Sequence, residues 1–210
     1  MSSELDRHSH WEGVYSTKLP TEVSWFQTRP DVSLELIKLT GARLDATIVD
    51  IGGGASTLLD HLLTEGRSSL IVLDLAESAL AHSRSRLGGI AADVEWIATD
   101  VTRWRPERRV HLWHDRAVMH FLTEARDQAA YVQSLRAALH PGGWAIIAGF
   151  APGGARRCSG LDIVQHDAAS LQALLGDNFA LMATREETHR TPSGADQLFR
   201  YHLFKRQQDN

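Results

Sequence analysis

From residue 48 onward the chain alternates between short apolar runs and longer segments whose apolar residues recur every three or four positions, and few folds accommodate that alternation. Strands of a parallel sheet are covered by helices on both faces, so they read as continuous apolar runs. Residues 47–51, 70–74, 94–98, 110–115 and 144–150 have this character. Between them Leu58, Leu59, Leu62 and Leu63 mark one face of a helix ended by Gly66, and Ala76, Leu80, Ser83 and Leu87 mark a second before Gly88-Gly89. Thr123 is the expected cap of a third, with Ala125, Ala129, Val132, Leu135 and Leu139 inward, before Pro141-Gly142-Gly143 turns the chain into the fifth strand. Asp167 caps a fourth helix, carrying Leu171, Leu174 and Leu175 and ended by Gly176. The last runs, 179–187 and 198–204, are joined by a loop too short for a crossover helix, so they pair antiparallel. The expected fold is an α/β domain with a doubly wound, seven-stranded, mostly parallel sheet, an antiparallel last strand and helices on both faces.

The first forty residues break this pattern. Pro30 opens a helix with Val32, Leu36, Ile37 and Leu39 buried, and Gly41 closes it, while residues 11–27 hold a high density of aromatics that reads as a lid. The division is a lid and helix over 1–44 and a ligand-binding domain over 45–210. For 210 residues, one domain with a short extension is the expected count. Apolar residues are 43% and charged residues 23%, and the net charge of −4 argues against a dedicated nucleic-acid partner. Neither a signal peptide nor an apolar membrane span is expected, so the cytoplasm is the expected location, with no membrane partner. The single cysteine, Cys158, rules out an internal disulfide and a thiolate-rich zinc site, and the eleven histidines show no metal-binding spacing, so no metal is expected.

The segment Val49-Asp50-Ile51-Gly52-Gly53-Gly54-Ala55-Ser56-Thr57 follows a strand and opens a helix, where glycines let a ligand approach the backbone. A dinucleotide fingerprint competes for this loop, but Thr57 stands where its third glycine belongs and Asp50 would repel a pyrophosphate. The same carboxylate suits a ligand with an ammonium and a sulfonium, because opposite charges attract strongly in a partly desolvated cleft. The charge pattern favours S-adenosylmethionine over NAD. Asp74, twenty residues after Gly54, ends the second strand where an acid accepts from ribose hydroxyls, and Asp100 after the third is placed to accept from an adenine amino group. Each acid alone also reads as a strand-end turn residue.

With these residues in place, the chain resembles the class I, seven-strand S-adenosylmethionine-dependent methyltransferases over about residues 45–206. The resemblance is carried by Asp50-Ile51-Gly52-Gly53-Gly54, a variant of the D-x-G-x-G loop, by Asp74, by Thr99-Asp100 and by Leu139-His140-Pro141-Gly142-Gly143. It implies that Asp50, Gly52, Gly53, Gly54, Asp74, Leu75, Asp100, Val101 and Asp115 border the cofactor. It also implies that Trp11, Tyr15 and Trp25 cover the methionine end, where aromatic faces attract a sulfonium; packing of the first helix on the sheet is the alternative. The sequence His114-Asp115-Arg116-Ala117 replaces the N-P-P-[YF] of enzymes that methylate planar amino groups, and a lone cysteine disfavours an arsenite methyltransferase.

Methyl transfer from a sulfonium needs alignment more than acid–base help. Were a base used, His120 is the candidate by its ordinary pKa, with Arg116 beside it as the other catalytic candidate and Phe121 against the acceptor. Arg157, Cys158, His189 and Arg190 lie on loops at the same sheet edge. Arg116, Arg157 and Arg190 would converge on a small, anionic acceptor; solvated loop arginines are the alternative. A protein-lysine methyltransferase, a noncatalytic S-adenosylmethionine-binding module and an NAD-dependent oxidoreductase stay open as other readings, and the oligomeric state is open.

Overall fold

A computed structural model describes residues 4–208, with side chains described from residue 6. One seven-stranded sheet organises the chain: β1 (Ile48–Ile51), β2 (Leu70–Asp74), β3 (Glu95–Ala98), β4 (Val110–Arg116), β5 (Leu139–Phe150), β8 (Phe179–Arg190) and β9 (Asp196–Arg206). Their order across the sheet is β3-β2-β1-β4-β5-β9-β8. All neighbours up to β5 pair in parallel, and β9 runs antiparallel between β5 and β8. The two-residue strands β6 (Arg157–Cys158) and β7 (Leu161–Asp162) make a separate hairpin after β5. Strand existence, direction and the reversed last strand agree with the reading of the apolar runs.

The two sheet faces follow from side-chain alternation. Ile48, Leu70, Val72 and Leu112 point to the side covered by α2 (Asp31–Leu39), α3 (Leu58–Thr64) and α4 (Glu77–Leu87), where they pack with Leu36, Ile37, Leu59 and Leu80. Val49, Ile51, Ile71 and Trp113 point to the other side, against Tyr131, Val132 and Leu135 of α5 (Ala125–Ala138) and Leu171 and Leu175 of α6 (Ala168–Leu175). Two layers of helix sandwich one sheet, and the winding direction reverses between β1 and β4. That reversal leaves a crevice at the C-terminal ends of β1, β2 and β4, where open α/β sheets take their ligands.

Two local expectations are revised, and one helix is new. The Pro141-Gly142-Gly143 turn lies inside β5 as an irregularity: the register steps from Val110 opposite Leu139 to Leu112 opposite Trp144, with Gly142 at φ +75°. Leu139 therefore belongs to the strand, and the cap of α5 is Glu124 rather than Thr123. The N-terminal segment is an ordered helix, α1 (Glu4–Thr17), whose few apolar residues give no strong helical period. Among the described residues no helix is long and apolar enough to cross a membrane.

Candidate active site

A cavity of about 840 Å³ opens at the crevice. Its floor is the ends of β1, β2 and β3, through Ile51, Gly52, Leu73, Asp74, Leu75, Asp100 and Val101. Arg7, Trp11 and Tyr15 of α1 and the following Trp25 roof it, and Arg116, Phe121, Cys158 and Phe199 close the far side. A second chamber of about 540 Å³, lined by Asp50, Gly53, Ser33 and His114, shares Tyr15, Trp25, Gly52 and Arg116 with the first.

The glycine loop is shaped by steric necessity. Gly52 adopts φ +68° and donates its N–H to the Leu73 carbonyl at 2.7 Å. A Cβ on Gly52 would overlap Val118 Cγ2, one on Gly53 would overlap the Asp50 carboxylate, and one on Gly54 would sit 2.6 Å from Ala79 Cβ.

Asp74 is buried at the end of β2, where its carboxylate accepts from Gly54 N at 3.0 Å and Ala76 N at 2.9 Å. Burial pushes its pKa up to about 6; the Ala76 and Gly54 amides oppose the rise and nearby Asp50 adds to it. Asp100 differs, although it lines the same floor. Its carboxylate accepts from Arg7 at 2.8 Å and from Thr102 N and Oγ1 at 2.8 and 2.7 Å. Burial pushes this carboxyl up, but the Thr102 and Arg7 hydrogen bonds outweigh burial and hold it below the usual carboxylate range. The carboxylate expected to face adenine is thus engaged on one oxygen by Arg7 of the same chain. Arg7 also bridges to Asp127 at 2.7 Å and so clamps α1 to α5.

The N-terminal segment is fastened to α4 at two further points and tied within itself at a third. Glu12 accepts from Glu77 N at 2.5 Å at the start of α4, His82 Nε2 lies 2.9 Å from the Tyr15 carbonyl, and Trp25 Nε1 donates to Tyr15 Oη at 3.2 Å. Trp11 meets Trp25 and Phe121 edge-on, with ring centroids 5.7 and 4.9 Å apart. All three aromatics expected in the lid line the cavity. They also pack against one another, so the surface that lines the cavity is itself a packed aromatic cluster.

Other candidates are placed elsewhere. Asp115 is fully buried beneath the cavity, where it accepts from Tyr131 Oη at 2.6 Å and from the Val118 and Met119 amides, and it does not line the site. Burial pushes its pKa up to about 6 against those three bonds. His120 is also buried and outside the cavity, wedged between Phe121 and Phe150 with neither ring nitrogen hydrogen-bonded. Burial, with Arg116 and His166 adding, pushes its pKa down to about 3, which removes the acid–base property that recommended it. Arg157 and Arg190 are exposed and paired within their own hairpins, to Asp162 at 3.1 Å and Asp196 at 3.4 Å, so the three arginines do not converge. His189 lies 2.8 Å from the Ser24 carbonyl, outside the cavity. Cys158 does line it, and burial pushes the thiol up to about 11.

Arg116 alone of those arginines reaches both chambers. Its Nε donates to Tyr201 Oη at 2.9 Å and Nη1 to the Trp25 carbonyl at 3.1 Å; Phe199 lies under the guanidinium at 4.2 Å. Nη2 is buried without a hydrogen-bond partner, 3.8 Å from Glu187. Sequence reasoning missed Arg7, His114, Ser33 and Phe199 as members of the site.

Residues 48–143 match the family described as a methyltransferase domain. No curated protein matches the sequence. Among solved structures, a protein of echinomycin biosynthesis, whose structure concerns conversion of a disulfide bond into a thioacetal group, is 17% identical, with 97% of this chain and 94% of that one covered and a TM-score of 0.78. The 1,6-didemethyltoxoflavin-N1-methyltransferase of Burkholderia thailandensis, solved with bound 1,6-didemethyltoxoflavin and S-adenosylhomocysteine, is 16% identical over 99% of this chain and 92% of its own, with a TM-score of 0.70. The N-methyltransferase NodS of Bradyrhizobium japonicum WM9 is 15% identical over 85% and 96%, with a TM-score of 0.67. At such identities the likeness shows the fold, and the domain match supplies the chemistry. The methyltransferase domain matched over 48–143 and the reversed seventh strand are together those expected of a class I S-adenosylmethionine-dependent methyltransferase.

Proposed function

We propose that this enzyme methylates a small, largely apolar acceptor carrying one anionic or hydrogen-bond-accepting oxygen. The observation that carries this reading is the far side of the cavity, where Phe121, Cys158 and Phe199 line the wall with the Arg116 guanidinium, whose Nη2 is buried and without a hydrogen bond. The small-molecule substrate of the toxoflavin-pathway neighbour lends support. A clamp of three arginines is not part of the reading.

The cofactor supplies an electrophilic methyl group on sulfonium sulfur; the acceptor lone pair forms the new bond as the carbon–sulfur bond breaks, leaving S-adenosylhomocysteine, and any acceptor proton passes to solvent. The chain's residues fit that group. Gly52 leaves its approach open, Asp74 is placed for ribose hydroxyls, and Asp50 keeps a buried carboxylate oxygen, Oδ2, without a hydrogen-bond partner. Trp11, Tyr15 and Trp25 exclude water above the reacting atoms, which strengthens every electrostatic contact beneath them. With the Cys158 thiol pushed up and His120 outside, the lining favours acceptors that already present a free lone pair on nitrogen or sulfur. Alignment alone is worth about 7 to 11 kcal/mol in such reactions. Calorimetry with S-adenosylmethionine, S-adenosylhomocysteine and NAD, followed by mass spectrometry of a metabolite extract incubated with labelled cofactor, tests the proposal. A labelled product retaining no acidic or oxygen-accepting group, or labelled protein in place of a small molecule, would overturn it.

Asp74 gives the cofactor site a pH signature. Its pKa in the fold, about 6, lies above that of an unfolded aspartate, so the protonated form is favoured there. The stability it contributes is present at acidic pH below the unfolded value and is lost as pH rises through about 6. Ribose hydroxyls donating to the ionised carboxylate reverse the preference. S-adenosylhomocysteine affinity is therefore expected to rise with pH up to about 6 and then level, by up to about tenfold per unit for one coupled proton. In Asp74→Asn the profile should be flat and the plateau lower. Asp115 titrates in the same range but lies outside the cavity, so it enters the stability profile and cancels from affinity. A wild-type affinity that is level from pH 4.5 to 7 would remove Asp74 from the ribose site.

The lid gives a second expectation. Deleting residues 1–27 should leave a folded domain, because β1 and the helices packed on it begin later. Affinity for S-adenosylhomocysteine should fall about tenfold or more with the loss of the roofing aromatics. Unchanged affinity in calorimetry would make α1 a structural ornament of the fold.

A further inference from the structure

We propose that His114, tied to Ser33, is a positioning residue that aims the Asp50 carboxylate at the ammonium group of the cofactor. This rests on the reading that the second chamber receives the methionine end.

The arrangement follows from the register of the sheet. Asp50 on β1 and His114 on β4 are direct partners in a parallel pair, so both side chains leave the same face, the one on which α2 packs. There His114 Nδ1 lies 2.6 Å from Asp50 Oδ1, and His114 Nε2 lies 2.9 Å from Ser33 Oγ on α2. Ser33 and His114 are essentially without exposed surface, and all three residues line the second chamber. Ser33 has one hydroxyl proton and no other hydrogen bond, so the economical assignment has Oγ donating to Nε2 and Nδ1–H donating to Asp50. The imidazole is thereby held in one tautomer, as an orienting partner does in catalytic relays.

Asp50 is fixed on one side only. Its side chain is 7% exposed, Oδ1 is bound by His114, and Oδ2 has no hydrogen-bond partner. A buried acceptor left bare costs free energy, so a carboxylate pinned with one oxygen unsatisfied calls for a donor that arrives with a ligand. Gly53 gives the carboxylate its room, because any Cβ there would strike it. The cofactor's positively charged ammonium supplies three donors and the matching charge. Without the ring, the Asp50 carboxylate would turn freely and divide its two oxygens between the chamber and the protein.

The test compares two ligands on the full-length protein: S-adenosylhomocysteine, and 5′-methylthioadenosine, which lacks the amino-acid tail. In His114→Leu, S-adenosylhomocysteine affinity should fall about 10- to 30-fold while 5′-methylthioadenosine affinity stays within about 2-fold, the loss expected for one charged hydrogen bond. His114→Asn, which keeps an N–H near the Nδ1 position, should recover most of the loss, and Ser33→Ala should lose about 3-fold for the tailed ligand alone. Asp50→Asn should reproduce the selective defect. Should the leucine variant fail to fold, Ser33→Ala and His114→Asn decide the matter with the same pair of ligands. Equal weakening of both ligands would make the trio a packing device, and unchanged affinity for both would overturn the proposal outright. If the wild-type protein binds neither ligand, the failure belongs to the cofactor-site reading instead.

Discussion

Replacing Gly52 by Val is expected to abolish measurable binding of S-adenosylmethionine and of S-adenosylhomocysteine, a loss of at least about 100-fold, or roughly 2.7 kcal/mol. Two physical effects coincide at this position. The backbone sits at φ +68°, where a β-branched residue costs on the order of 1 to 3 kcal/mol. The new Cβ also overlaps Val118 Cγ2, on the segment that leaves β4, so the loop and that segment must separate just where the cavity floor is built. Gly66 supplies the control. It has φ +82° but nothing within 4 Å of an added Cβ, and it closes α3 far from the cavity. Gly66→Ala should therefore show the conformational cost alone, as a lower Tm with unchanged S-adenosylhomocysteine affinity by calorimetry. If Gly52→Val binds like the wild type while circular dichroism shows a native fold, the glycine loop does not border the cofactor.

How much of this was legible in the residues depends on the range of the interactions involved. Strands β1, β2 and β4 declare themselves because burial on both faces demands unbroken apolar runs, and Asp50 and Asp74 stand out because a carboxylate at the end of such a run is costly without a purpose. The same local logic does not reveal what each carboxylate touches. Asp100 looked like an acceptor for adenine, yet half of it is held by Arg7, 93 residues away and in a stretch with no marked period. His120 had the right side chain in the right loop, but its burial depends on Phe150 of β5, which a reading of its own loop does not see. The outward pairing of Arg157 and Arg190 had a signal available. Asp162 and Asp196 are their partners across a hairpin, the nearest opposite charges once the turns are drawn. His114 had one as well: aligning the ends of two adjacent parallel strands sets it opposite Asp50.

Arg116→Met is expected to damage stability and turnover through separable causes. The guanidinium is 11% exposed, anchored by Tyr201 and the Trp25 carbonyl, and stacked on Phe199, so its loss should cost about 2 to 4 kcal/mol of folding free energy. Part of that cost is the bare charge left on Glu187, which keeps the Tyr201 hydroxyl as a donor at 2.6 Å but loses its cation. Adding Glu187→Gln should therefore restore a good share of the Tm. It should not restore catalysis, because the guanidinium that lines both chambers, with an Nη2 free of hydrogen bonds, is gone in both variants. For the acceptor identified by labelled-cofactor mass spectrometry, kcat/KM should remain down by roughly 1.5 to 3 kcal/mol, the range for a hydrogen bond to a charged group, while S-adenosylhomocysteine affinity is retained. Arg116→Lys should recover charge but not the planar fork, and fall between. Should the methionine variant lose S-adenosylhomocysteine affinity and keep its acceptor KM, the guanidinium grips the carboxylate of the methionine tail. Should the double variant regain full kcat/KM along with its Tm, Arg116 is a strut between β4 and β9, and the acceptor needs no anionic group at all.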